Sequence, residues 1–147
     1  MGVDAGCTLG CTAIRVYRKM TYLLDTHTFL WILQTPKVLP ASVLSICENR
    51  SVNMVVSIVT PWEMAIKSAI GKLDAGHILD NFEAYLTQGG YSMLETTAHH
   101  VIRAGRLPSH HRDPFHRLLA AQALDLRIPL ISRDRVFDLY GAKRIWD

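Results

Sequence analysis

The sequence has few cysteines and no long apolar segment. Three cysteines occur in 147 residues, a low and odd number that does not suit a disulfide framework and favours a reducing cytoplasm. No apolar run approaches the roughly 20 residues that a membrane-spanning helix needs, so no membrane association is expected. The hydrophobic content of 49% is enough for a buried core, and the chain length suits one domain.

A strong charge of either sign is also lacking. The formal net charge is +3, of which +2 belongs to residues 1–19 and +1 to residues 20–147. Charge alone therefore does not indicate a nucleic-acid-binding protein, and any such site must be local. Residues 1–19 have no continuous apolar region and carry their positive charge at the wrong end for a signal peptide. We expect a disordered or untranslated leader over 1–19 and a single domain over 20–147.

Strands and helices alternate along residues 20–147. The segment Asn53–Val59 is a β-branched run without polar alternation, which is typical of a strand buried on both faces. Thr60 and Pro61 predict the start of the next helix, with Thr60 as its cap. Such an alternation predicts an α/β fold with a parallel sheet and helices on both faces. The other predicted strands are Thr21–Leu24, Ser92–Glu95, Ile128–Ser132 and Lys143–Trp146, and the other predicted helices are His27–Leu33, Ala41–Asn49, His77–Gln88, Ala98–Arg106, Pro114–Leu126 and Arg135–Tyr140.

Four acidic residues occupy the same kind of position, at the start of a predicted helix. Asp25 and Asp134 follow predicted strands, and Glu63 lies in the first turn of the helix after Asn53–Val59. Asp113 directly precedes Pro114. Because ligands of an open α/β sheet bind beyond the carboxyl ends of its strands, these four side chains can meet at one edge. Clustered carboxylates repel one another, and oxygen ligands select Mg²⁺ or Mn²⁺ over Zn²⁺, so the pattern favours a divalent-cation site.

Each of these acids also has a purely structural interpretation. The three aspartates can be helix caps, a use of Asp that contributes about 1 kcal/mol each. Glu63 completes a capping box with Thr60 and can pair with Lys67 one turn later. His27, on the turn after Asp25, can support the site or simply be packed. Independent caps need not be acidic and need not share one edge, which weakens the structural interpretation of the four acids together.

Three segments of the sequence resemble the PIN domain family, and in particular the VapC-type toxins of bacterial toxin–antitoxin modules. They are LLDTHTFLW, SIVTPWEMAIKSAIGKL and HRDPFHRLLAAQALDLRIPLISRDRVFDLY, and the resemblance extends from Met20 to Trp146. The resemblance implies a five-stranded parallel sheet flanked by helices and a metal-dependent endoribonuclease that cleaves RNA phosphodiester bonds. It also implies a homodimer, a cognate antitoxin that covers the acidic cleft, and structured RNA such as a tRNA stem-loop as substrate.

By this resemblance the catalytic acids that hold Mg²⁺ or Mn²⁺ fall on Asp25 in LLDT, Glu63 in PWE and Asp134 in SRD. The remaining position departs from the family pattern, because many relatives have DPFD where this chain has DPFH. Asp113 is retained and His116 takes the second place. Positions 113 and 116 lie about one helical turn apart and share a face. We expect Asp113 to serve the same metal site, with His116 as a neutral ligand, a phosphate contact or a proton carrier.

Four arginines flank the same motifs and can either hold an RNA phosphate backbone or form a solvated surface. They are Arg112, Arg117, Arg133 and Arg135. No aromatic platform for bases is visible, so we expect recognition of RNA shape. One alternative is a degenerate PIN domain in which His116 marks lost chemistry and which only binds or regulates. Another is a phosphatase or receiver-like domain, but DPFHRLLAAQA gives no sign of its small-substrate pocket.

Overall fold

The computed structural model of the protein describes residues 19–110 and 112–147, so the expected leader over 1–19 lies outside the described residues except for Lys19. The described chain contains five strands and eight α-helices. The strands are β1 (Thr21–Leu24), β2 (Asn53–Ser57), β3 (Ser92–Leu94), β4 (Leu130–Ile131) and β5 (Arg144–Ile145). The helices are α1 (Thr26–Gln34), α2 (Ala41–Glu48), α3 (Val59–Ala69), α4 (Gly76–Asp80), α5 (Phe82–Gly89), α6 (Ala98–Arg106), α7 (Pro114–Leu126) and α8 (Val136–Leu139).

The five strands form one parallel sheet in the order β3-β2-β1-β4-β5. The central strand β1 pairs with both neighbours through Leu23, which lies opposite Val55 of β2 and Leu130 of β4. Because every strand runs in the same direction, all the carboxyl ends lie along one edge of the sheet. The prediction of an α/β fold with a parallel sheet is therefore confirmed.

Both faces of the sheet are covered. Successive side chains of a strand point to opposite faces, and each set packs into its own core. Leu24 packs into a core that includes Phe29 of α1 and Met64 of α3. Leu23 packs into a second core, with Leu119 of α7 and with Val136 and Phe137 of α8. The helices thus lie on both faces, as predicted. No helix among the described residues has the length and apolar character needed to cross a membrane.

The start of α3 differs from the prediction. The helix begins at Val59 rather than at Pro61, and its first amide is capped by Ser57, whose Oγ accepts a hydrogen bond of 3.1 Å from the Val59 N–H. Thr60 therefore lies inside the first turn, where its hydroxyl is 3.3 Å from the hydroxyl of Thr26. The predicted capping box between Thr60 and Glu63 is wrong, because the helix begins two residues earlier than predicted and Thr60 lies two positions beyond the cap position.

The predicted helix His77–Gln88 is divided in two. Asn81 lies between α4 and α5 with φ −129° and ψ 31°, outside the helical region. Its side-chain amide donates a hydrogen bond of 3.2 Å to the carbonyl of His77. Asparagine competes for backbone hydrogen bonds in this way and interrupts helices. The other predicted elements agree with the structure to within about two residues at each end, the usual uncertainty of such boundaries.

Candidate active site at the carboxyl edge of the sheet

Asp25 leaves β1 and caps the N-terminus of α1, and its side chain is only 3% exposed. One carboxylate oxygen, Oδ1, accepts a hydrogen bond of 2.8 Å from the Thr26 N–H, and the other, Oδ2, accepts one of 2.7 Å from the Ser132 hydroxyl. Burial raises the pKa of Asp25 above its ordinary value, although the charge of His116 and the Ser132 hydrogen bond act in the opposite direction. The ionised form is therefore disfavoured unless a positive charge lies close to it.

Glu63 of α3 is 1% exposed and is held from two sides. Its Oε1 accepts a hydrogen bond of 2.6 Å from the Thr26 hydroxyl, and its Oε2 forms an ion pair with Lys67. The Lys67 ammonium also lies 3.3 Å from Oδ2 of Asp113. Burial lowers the pKa of Lys67, but the hydrogen bond and charge of Glu63, with those of Asp113, outweigh it and hold the pKa above its ordinary value. Lys67 is therefore charged and bridges two of the four predicted acids.

His116 lies between two of the predicted acids, Asp113 and Asp134. Asp113 caps α7, with Oδ1 accepting a hydrogen bond of 2.9 Å from the Phe115 N–H. One turn later the buried imidazole of His116 places Nδ1 3.5 Å from Oδ2 of Asp113 and Nε2 3.6 Å from Oδ2 of Asp134. The same ring packs edge-on against Phe137, with ring centroids 5.3 Å apart. Helical spacing thus places positions 113 and 116 together, as predicted.

Asp134 lies just beyond β4 and is the most exposed of the four acids. Its Oδ1 accepts a hydrogen bond of 3.0 Å from the Val136 N–H, and its own N–H donates one of 3.0 Å to the Ser132 hydroxyl. Ser132 therefore connects Asp134 to Asp25, because its hydroxyl also donates to the Asp25 carboxylate. Asp25 and Asp113 are helix caps, as the structural interpretation expects. Asp134 also accepts a backbone N–H, but it lies one residue before Arg135, the cap position of α8.

A cavity of about 430 Å³ opens at this edge and separates the acids into two pairs. Asp25 and Asp134 line the cavity together with His116. Glu63 and Asp113, which Lys67 bridges, are not among the described residues that line it. The remaining lining residues are His27, Trp31, Arg133 and Arg135, so His27 faces the same cavity as Asp25.

The four arginines are also separated. Arg133 and Arg135 line the acidic cavity and a neighbouring cavity of about 760 Å³, to which Arg144 also contributes. Arg117 instead lines an apolar cavity of about 340 Å³ beside Trp62. Arg112 is exposed in the segment before α7. The structure therefore places two of the four arginines beside the acids.

Sequence reasoning missed three residues that hold the site together. The Thr26 hydroxyl donates to Glu63, and the Ser132 hydroxyl donates to Asp25. No spacing in the sequence predicts these contacts. For Lys67 the sequence predicts only the pairing with Glu63 one helical turn away. Its second contact, with Asp113, joins positions 46 residues apart, which local periodicity does not reveal.

The donor groups fit a divalent cation in their chemistry. Among residues 19–110 and 112–147, no three His, Cys, Asp or Glu side chains form a ready-made cation cage. Burial nevertheless raises the pKa of Asp25, and the nearby charge of Glu63 raises it further, so a cation would relieve both effects. Carboxylate oxygens are the ligands that Mg²⁺ and Mn²⁺ prefer. Asp25, Asp134 and His116 are the side chains at the cavity that would hold such an ion.

Fold and site together define an α/β domain with an acidic cleft at the carboxyl ends of a parallel sheet. Within this class, the family model of the PIN domain matches residues 22–143, and the chain belongs to the PIN domain family. The predicted resemblance is thus confirmed at the level of family and fold. None of the curated protein sequences matches this chain.

Several solved structures share the fold. VapBC2 from Rickettsia felis, bound to a DNA fragment from its promoter, matches with a TM-score of 0.64 and 14% identity, over 87% of this chain and 100% of that one. VapBC-1 from nontypeable Haemophilus influenzae matches with a TM-score of 0.61 and 19% identity, over 86% and 97%. A toxin–antitoxin complex from Klebsiella pneumoniae matches with a TM-score of 0.58 and 13% identity, over 84% and 95%. At these identities the likeness establishes the fold.

Proposed function

We propose that the protein is a divalent-cation-dependent endoribonuclease and the toxin of a toxin–antitoxin pair. The observation that carries the proposal is the gathering of Asp25, Glu63, Asp113 and Asp134 at the carboxyl edge of a PIN-domain sheet, beside a cavity that arginines also line. The proposal assigns the activity to residues 20–147. Likeness to VapBC structures supports an antitoxin partner, and the family resemblance extends the proposal to a homodimer acting on structured RNA in the cytoplasm.

A Mg²⁺ or Mn²⁺ ion would supply Lewis acidity toward the phosphodiester and lower the pKa of water beside it. The chain contributes the placement of the acids. Hydrogen bonds from the Thr26 N–H and the Ser132 hydroxyl fix both oxygens of Asp25, and Asp134 is tied to the same Ser132. Ligands held on regular elements keep their geometry better than ligands on loops. His116, between Asp113 and Asp134, is placed to contact a phosphate or to carry a proton.

The test uses the purified full chain, free of antitoxin, with total RNA and with Mg²⁺ or Mn²⁺. We expect discrete cuts that disappear in EDTA and in Asp25→Asn, and sequencing of the fragment ends would identify the substrate. Folded protein that leaves RNA uncut in both metals would contradict the nuclease proposal. It would favour the degenerate binding domain, with His116 as the first residue to examine.

Replacing Arg133 and Arg135 by glutamine is expected to weaken RNA binding by about tenfold and to reduce its dependence on salt. Each arginine that contacts a phosphate contributes roughly one unit to the slope of log affinity against log salt. Binding is measured by fluorescence anisotropy in an Asp25→Asn background, so that no RNA is cleaved. Arg117→Gln is the matched control, because Arg117 lines a different cavity. An equal loss of affinity in the control would contradict a path for RNA over the acidic cavity.

His116→Asp is expected to shift the metal preference of cleavage toward Mg²⁺ by about tenfold, the lower end of the effects seen around metal sites. Imidazole favours transition metals such as Mn²⁺ relative to Mg²⁺, whereas a carboxylate suits both. The measurement is the ratio of cleavage rates in Mn²⁺ and Mg²⁺ for the two proteins. His99→Asp, on the exposed face of α6, is the control. An unchanged ratio would show that His116 does not act on the metal.

A further inference from the structure

We infer that Lys67 provides a fixed positive charge between Glu63 and Asp113, so that the candidate site binds one divalent cation per chain rather than two. The inference rests on the proposed function only in that a divalent cation binds at this site. Two-metal nuclease sites place their ions about 3.5–4 Å apart and share carboxylates between them. In this chain a lysine ammonium already lies between two of the four carboxylates.

The Lys67 ammonium is held in place by two carboxylates and an aromatic ring. Its ammonium forms an ion pair with Oε2 of Glu63 and lies 3.3 Å from Oδ2 of Asp113, and its side chain is 22% exposed. The ring of Phe115 lies 6.0 Å below the same ammonium. Because Glu63 is nearly fully buried, its negative charge requires a positive partner, and Lys67 meets that requirement.

Both bridged carboxylates also have their second oxygen engaged by the protein. Oε1 of Glu63 accepts the Thr26 hydroxyl at 2.6 Å, and Oδ1 of Asp113 accepts the Phe115 N–H at 2.9 Å. Each carboxylate is therefore held between the ammonium and a fixed polar donor. A metal ion at this place would have to displace the lysine from the two carboxylates, leaving a second positive charge beside the ion.

The other pair of acids has a different environment. Asp25 and Asp134 line the cavity of about 430 Å³, and their hydrogen bonds come from neutral donors, the Ser132 hydroxyl and backbone N–H groups. The His116 imidazole lies 3.6 Å from Asp134, and Arg133 and Arg135 line the same cavity. Among the described residues no lysine or arginine forms an ion pair with Asp25 or Asp134, so a metal ion entering from solvent reaches these two carboxylates without displacing one. One half of the site thus holds the Lys67 ammonium between its carboxylates, and the other is open to a single ion.

An ordinary surface ion pair does not account for this arrangement. Glu63 and Lys67 are four residues apart on α3, a spacing common on solvent-exposed helices. In this chain the Glu63 carboxylate is buried, and the Lys67 ammonium also contacts Asp113 at the start of α7. The lysine consequently joins two helices that both contribute acids to the site.

The test counts Mn²⁺ ions bound by the full chain, by isothermal titration calorimetry and by the electron paramagnetic resonance signal of free Mn²⁺. We expect one ion per chain for the wild type and for Lys67→Arg, which keeps the charge. We expect two ions for Lys67→Met, with the spectrum of a coupled Mn²⁺ pair, because Glu63 and Asp113 then lose the ammonium that bridges them. Lys72→Met, an exposed lysine just beyond the same helix, is the matched control and should bind one ion.

Two ions in the wild type, or one ion in a folded Lys67→Met, would overturn the inference while leaving the nuclease proposal intact. Wild-type protein that is folded and binds no Mn²⁺ would overturn both the inference and the metal dependence of the proposed function. If Lys67→Met does not fold, Lys67→Gln is measured in its place and carries the same expectation. Circular dichroism of each variant establishes folding before the titration.

Discussion

Asp25→Asn is expected to lower metal-dependent RNA cleavage by about 100-fold or more. The substitution keeps the shape of the side chain but removes the charge that would hold the cation, and each tenfold loss of rate corresponds to about 1.4 kcal/mol of transition-state stabilisation. The rate is measured on the RNA identified by fragment sequencing, at saturating Mg²⁺ or Mn²⁺. Asp80→Asn, an exposed change at the end of α4, should cleave at the wild-type rate.

The same substitution is expected to stabilise the metal-free protein at pH 7 by about 1–3 kcal/mol, the range found for burying poorly compensated polar groups. Burial raises the pKa of Asp25 above its ordinary value of 3.8, so the folded state binds this proton more tightly than the unfolded state does. The cost of ionisation is therefore absent below about pH 4 and grows as the pH rises from there through the folded-state pKa. The increase in the free energy of unfolding caused by Asp25→Asn should likewise be absent below about pH 4 and largest near neutral pH.

Urea unfolding in EDTA, at pH 7 and at pH 4, checks this expectation. A midpoint for Asp25→Asn below that of the wild type at pH 7 would show that the carboxylate is well compensated without metal. Added Mn²⁺ is expected to offset this difference, because a ligand at 100 times its dissociation constant stabilises the folded state by about 2.7 kcal/mol. That gain should appear in the wild type and not in the variant.

Phe29→Ala is expected to cost about 3–5 kcal/mol of the free energy of unfolding. Phe29 is fully buried in α1, and its ring makes edge-on contacts with Phe82 and Tyr91, at centroid distances of 6.0 and 5.4 Å. Loss of the ring leaves a cavity between α1, α5 and the segment before β3, and domains of this kind are stable by only about 5–15 kcal/mol.

The free energy of unfolding lost in Phe29→Ala is measured by urea unfolding at pH 7, with Val101→Ala as the control. Val101 is 53% exposed on α6, and such surface changes usually alter stability by less than about 0.5 kcal/mol. A cost for Phe29→Ala near that of the control would contradict the central position of the ring in this core.

The sequence predicts the placement of Asp25 well, because its position follows from two robust rules. A β-branched or apolar run followed by a helix signal locates the end of a parallel strand, and such ends share one edge. Asp113 is equally well predicted, since Pro114 marks the first turn of α7. The fold class follows from the same alternation of strands and helices, which the parallel sheet confirms.

Other features depend on contacts that local patterns do not contain. The cap of α3 moves to Ser57 because that hydroxyl, which also donates to Gln122 65 residues away, lies within reach of the Val59 N–H. The division of the acids into two pairs depends on Lys67 reaching Asp113 across two helices. Such contacts arise only when the whole chain has been packed, so neither propensity nor spacing reveals them.

The hydrogen bond from Ser132 to Asp25 has a consequence for the synthesis of the protein. It joins positions 107 residues apart, and the pairing of β1 with β4 spans a similar separation. Chains dominated by such distant pairings fold slowly, and a ribosome adds only about 5–20 residues per second. A growing chain therefore carries Asp25 for several seconds before Ser132 is added, and the Asp25 side of the cleft is completed only after that.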